Sequence, residues 1–193
     1  MDTHVNTPQV IFNLPQRLLV PLFQRPYVWE EDRQWRPLWH DVERIANKVL
    51  AHDHSAVHFL GAVVLQQEMN STGTLMTRTI IDGQQRLTTL QILFDAIRAE
   101  ILHLDLEPIA RRLVDLVENS EHQRRDPEDR FKVWPPNRDR DAFVEVMTDP
   151  QPNYAELTHA ASKLVKAHEY FARQARAWLE QEPEYASERA SAL

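Results

Sequence analysis

The run Asp82-Gly83-Gln84-Gln85-Arg86, continued by Leu87-Thr88-Thr89, gathers the most suggestive chemistry of the chain into eight residues. It follows the apolar pair Ile80-Ile81 and precedes an apolar repeat, the pattern of a strand that turns into a helix. A helix starting here presents backbone N–H groups 84–87 without intrahelical partners, and its dipole favours an anion at that end. Arg86 adds a permanently charged planar fork suited to phosphate. Gln84, Gln85 and the hydroxyl of Thr88 or Thr89 supply further donors. Gly83, one of only three glycines, removes side-chain bulk where a ligand would approach the backbone. Asp82 is placed to hold Mg2+ beside a triphosphate or to orient a water, and one carboxylate does not decide between these roles. A capping reading competes, with Asp82 as N-cap and Gln85 as the N3 partner of a capping box, worth about 1 kcal/mol. It leaves Gln84, Arg86 and both threonines without a task. Neither a P-loop nor a GxGxxG fingerprint occurs, so a nucleotide site here follows another scheme.

A second polar pair, Gln24-Arg25, lies in "VPLFQRPYVW" between Pro21 and Pro26, which stiffen the peptide into an extended form. Arg25 is suited to a phosphate, and Tyr27 and Trp29 to stacking on a base, worth about 1–3 kcal/mol per base. Alternatively the aromatics are core residues and Arg25 pairs with Asp82 or Asp41. In "FKVWPPNRDR", Lys132, Asn137 and Arg138 flank a rigid Pro-Pro turn and are candidates to close the pocket or to meet DNA phosphates; a solvated turn is the alternative. His52, His54 and His58 are too loosely spaced for a metal motif, and His168 falls on a helical stripe as a packing residue. No serine carries a nucleophile-elbow motif.

These residues need elements to hold them. The spacing predicts helices from about 35 to 49, from 84 to 101 with a stripe at 87, 90, 94, 97 and 101, over 107–119, from about 139, and over 155–180 with Leu164, His168, Phe171, Ala175 and Trp178 on one side. Strands are expected at 57–66 and 77–82, joined by a loop and able to pair antiparallel. Residues 10–20 read as short apolar pieces broken by Asn13 and Pro15. The tail after Pro183 has no core-forming pattern and resembles a linker. The expected fold class is α/β (α+β), with a mixed-sheet core over 1–106 and a helical extension over 107–193.

At 193 residues the chain can bury one respectable core. It has no cysteine, which excludes disulfides and thiolate chemistry and fits a cytoplasmic protein. No apolar run is long enough to span a membrane. The net charge of −7 repels nucleic acid at long range, so DNA contact requires a local basic surface.

"VPLFQRPYVW", "HFLGAVVL" and "TIIDGQQRLTTLQIL", in that order and spacing, resemble the ParB-like N-terminal domain of GmrSD-type modification-dependent restriction proteins. The resemblance covers residues 10–105 and continues more loosely through Phe131–Arg140 and the last helix. It implies a ParB/sulfiredoxin-like fold and a role in bacterial defence against phage. Asp82, Gly83, Gln84, Gln85 and Arg86 match the family's nucleotide-hydrolysis motif, and Gln24 and Arg25 match an element beside the same pocket. The start of the chain is most similar to the members that act in phosphorothioate-based defence. The resemblance therefore implies GTP-preferring hydrolysis with Mg2+, sensing of phosphorothioate-modified DNA, and control of a C-terminal nuclease domain lying beyond an N-terminal piece such as this. Self-association is compatible with that scheme. On the residues alone, a non-catalytic nucleotide or modified-DNA binding module and a ParB-like DNA nuclease remain alternatives.

Overall fold

The computed structural model describes residues 3–53, 55 and 57–193; His54, of the proposed histidine group, lies outside them. Helix α1, Pro8–Phe12, opens on a proline in its first turn and on the Thr7 hydroxyl, which accepts from the Val10 N–H. Strand β1, Gln16–Leu19, follows at once. After the proline-stiffened segment a wide π-type turn, Glu31–Trp35, leads into α2, Arg36–Leu50, with Pro37 in the first turn where its missing N–H costs nothing. Strands β2, Val64–Gln67, and β3, Met76–Asp82, precede α3, Gln84–His103, and α4, Glu107–Val117. The chain closes with β4, Val133–Trp134, and helices α5, Asn137–Thr148, α6, Lys163–Leu179, and α7, Ala186–Ala192.

The four strands form one sheet in the order β2-β3-β1-β4. β1 runs parallel to both neighbours, pairing Leu18 with Arg78 on one side and Val133 on the other. β2 is antiparallel to β3, as expected, with a register shift between Val64 and Leu65. Residues on both sides of position 106 share this sheet and one core, because β4 pairs with β1 and α3 packs on α6. Between those two helices lies a buried polar network. Asp95 Oδ2 is 3.1 Å from His168 Nε2, and His168 Nδ1 is 2.8 Å from the Tyr154 hydroxyl. Arg98 Nε donates to Asp95 at 2.9 Å, and the Arg176 guanidinium binds Glu100 with two hydrogen bonds.

Several sequence expectations are corrected. The broken apolar stretch at 10–20 contains the central strand. The strand expected over 57–66 is confined to 64–67, because Gly61 takes a left-handed φ of +94° that no extended strand holds. The long helix expected from 155 begins at Lys163, where the Ser162 hydroxyl accepts from the Leu164 N–H. Helix α3 is buried around most of its circumference rather than along one stripe. The tail after Pro183 forms α7, held where Arg189 stacks 3.9 Å from the Trp178 ring centroid and its Nε donates to the Trp178 carbonyl.

A candidate site at the carboxyl ends of the parallel strands

Because β1, β3 and β4 run in one direction, their carboxyl ends open on one edge of the sheet. Ligand sites of parallel α/β sheets lie outside such ends. Val20 follows β1, the Asp82-Gly83 turn follows β3, and Pro135-Pro136 follows β4. Gly83 is the N-cap of α3, with φ +93°, and no side chain caps the helix there. This overturns the capping-box reading of Asp82 and Gln85. The physical reason is the turn itself: the left-handed glycine takes the N-cap position and leaves Asp82 exposed at the strand end. A Cβ on Gly83 would lie 2.9 Å from Val63 Cγ2, so packing against the β2 approach, as well as φ, requires glycine.

The two glutamines of the motif face the proline-stiffened segment. Gln85 Oε1 accepts from the Val28 N–H at 2.9 Å and its Nε2 donates to the Pro26 carbonyl at 3.1 Å, as a strand neighbour would. Gln84 Nε2 donates to the Arg25 carbonyl at 3.4 Å, and its Oε1 is buried with no partner. The Tyr27 hydroxyl meets Thr89 Oγ1 at 2.6 Å and accepts from Trp35 Nε1 at 2.9 Å. The segment around Gln24, Arg25, Tyr27 and Trp29 thus lies against the Asp82–Arg86 turn.

A narrow cleft remains between these elements, lined by Val20, Arg25, Tyr27, Gln84, Gln85, Thr88, Pro135, Pro136 and Asp139. Asp139, in the first turn of α5, accepts the Tyr27 N–H at 2.7 Å. Burial raises its carboxyl above the usual range, against the lowering effect of that hydrogen bond. The N-terminus of α5 also lacks a side-chain cap and adjoins the same cleft through Pro135 and Pro136.

Of the expected site residues, Gln84, Gln85, Thr88 and Arg25 come together here. Arg25 is exposed and forms neither expected ion pair, since Asp41 is matched with Arg44 and His58. Arg86 stands beside the cleft: its Nη1 donates to the Ala62 carbonyl, and its guanidinium lies over Gly61, where a Cβ would be only 2.8 Å away. Gln24 is half-buried in the turn after Pro21, its N–H donating to the Pro21 carbonyl. Arg138 is exposed in the first turn of α5.

Three expectations fail. Tyr27 is 6% exposed and spends its hydroxyl internally, so it cannot stack on a base; desolvation drives its phenol pKa upward. Trp29 packs against the core. Lys132 lies at the opposite end of the sheet, because it precedes β4 rather than following it; its Nζ donates to the Leu14 carbonyl at 3.0 Å. Sequence reasoning missed Asp139 and Gly61. The available signals were an acid three residues beyond a Pro-Pro turn and the rarity of glycine.

A mixed sheet whose parallel strands end at a glycine turn and an uncapped helix defines a small α/β domain that presents backbone donors beside polar side chains. The chain belongs to the family of the GmrSD restriction endonuclease N-terminal domain, which it matches over residues 9–188. Family membership ties it to restriction. No curated protein matches the chain. Among the described residues no helix is long and apolar enough to cross a membrane, and no three His, Cys, Asp or Glu side chains gather to hold a metal.

Proposed function

We propose that this domain binds and hydrolyses a nucleoside triphosphate, with GTP preferred, and that in the cytoplasm this activity licenses an attached nuclease once phosphorothioate-modified DNA is sensed. The carrying observation is the uncapped start of α3, whose Gln84 and Gln85 line one cleft with the exposed Arg25 while Arg86 stands beside it. Such a helix start favours phosphate without further machinery. Mg2+ characteristically takes one or two carboxylates and completes its shell with phosphates and water, so the exposed Asp82 fits as a single protein ligand. The ion would offset charge on the phosphates. Arg86 contributes a fixed cation, and Gln85 keeps the 24–29 segment docked so that Arg25 stands at the rim.

Purified protein with Mg2+ should release phosphate from GTP, and Arg86→Ala should remove most of that release while the fold persists. Normal turnover by a folded Arg86→Ala protein would defeat the hydrolytic reading. GTP binding without phosphate release would instead support a binding module. Sensing is tested by comparing hydrolysis with phosphorothioate and plain DNA over a salt series; identical rates and affinities remove that role.

A further inference from the structure

Two features of the cleft have no use in phosphate binding. Gln84 Oε1 is an acceptor without a donor, on a residue only 8% exposed. Asp139 is a second acceptor, half-buried, with Oδ2 holding the Tyr27 N–H. Both residues line the same cleft, whose volume is about 10 Å3, room for about one water. An anion would be repelled by this floor. A water is not: it has two hydrogens for two acceptors and a lone pair to point at the mouth, where the start of α3 and Arg25 lie.

We propose that Asp139 takes the proton from the water that attacks the terminal phosphate of the nucleotide, with Gln84 Oε1 accepting that water's other hydrogen. The inference rests on the nucleotide reading above. In the step, the water oxygen bonds to the terminal phosphorus and the bond from that phosphorus to the bridging oxygen breaks. Its electron pair stays on the nucleoside diphosphate. One water proton passes to the Asp139 carboxylate and is later released to solvent, leaving inorganic phosphate. The groups facing Asp139 from other elements are Arg25 and the buried Tyr27 from the 20–29 segment, and the neutral Gln84, Gln85 and Thr88 from α3. Burial brings Asp139 closer to neutral pH, which suits a base.

The test is Asp139→Asn, which keeps an acceptor for the Tyr27 N–H, with the exposed Asp141→Asn on the same helix as control. GTP affinity, kcat, melting temperature and the pH dependence of kcat are measured for the full chain. The expected result is an unchanged melting temperature and affinity, a kcat lowered about 100-fold, the low end of the usual gain from a positioned base, and loss of the acidic limb of the pH profile. Asp141→Asn should behave as the parent. Undiminished turnover by Asp139→Asn, or an equal loss of affinity and turnover, overturns the inference and leaves nucleotide binding standing. Parent protein that binds GTP without hydrolysing it overturns the inference and the hydrolytic reading together, and parent protein that does not bind GTP removes the site altogether.

Discussion

The two ends of the parallel strands are built to opposite standards. At the amino end Asn119, fully buried, accepts from the Gln16 N–H and donates to the Gln16 and Asp129 carbonyls at 3.0 and 2.9 Å. Glu118 binds Arg124 and Arg130, and Asp129 accepts two backbone N–H groups and pairs with Arg17 at 3.3 Å. Arg17 and Arg130 each leave an Nε without a partner here, as Gln84 leaves its Oε1 at the other end, so the contrast lies in the dense carboxylate and amide pairing around β1 and β4. At the carboxyl end the start of α3 has no side-chain cap, a glutamine oxygen goes unmatched and Arg25 pairs with no carboxylate among the described residues. Buried polar groups are ordinarily satisfied. The chain spends its hydrogen-bonding capacity on holding β1 and β4 together at one end and leaves donors and acceptors open at the other.

Four changes sharpen that contrast. Asn119→Ala should be the most damaging, costing about 3 kcal/mol because it strands buried backbone groups of Gln16 and Asp129; a chemical denaturation midpoint reads it. Gly61→Ala should cost about 1–2 kcal/mol for the left-handed backbone alone, and, by displacing Arg86, should weaken the hydrolysis proposed above. Lys132→Met gives a pH signature. Burial lowers the Lys132 amine to about 8, so the folded state binds fewer protons than the unfolded one between about pH 8 and 10.5. The penalty for burying this amine is complete below about pH 8 and is relieved as pH rises. Parent stability should therefore increase relative to Lys132→Met between pH 7.5 and 9.5, and parallel curves would contradict it. The smallest effect is expected for Gln84→Leu, within about 1 kcal/mol of the parent or slightly stabilising, since it removes an unmatched oxygen. A large destabilisation would show that the cleft is structural.

The turn at 82–86, the length of α3 and the antiparallel pairing of β2 with β3 were legible because each rests on local pattern. β1 was not, since its four residues, in the short stretch between Pro15 and Pro21, show no period, and the buried Gln16 owes part of its hydrogen bonding to Asn119 and Arg78, which reach it from afar. β4, two residues long, is defined by its partner rather than by its own composition. The candidate site was half visible. Gln84 and Arg25 carry their chemistry in type and spacing, whereas Asp139 becomes a cleft residue only when α5 is folded back across the sheet. Tyr27 stayed ambiguous for the same reason: an extended aromatic next to an arginine is indistinguishable in sequence from one that seals the core.

The hydrogen bond from Tyr27 to Asp139 joins residues 112 positions apart, and that of Lys132 to Leu14 joins residues 118 apart. Contacts of such range are slow to form, because chain closure precedes any reward. During synthesis the motif at 82–86 would emerge after Val20, Arg25 and Tyr27 but long before Pro135, Pro136 and Asp139, which wall the other side of its cleft, and its early helix would have no central strand secured on both sides. A nascent chain that stops short of α5 therefore carries the motif's donors and the Arg25 rim but lacks the wall formed by Pro135, Pro136 and Asp139.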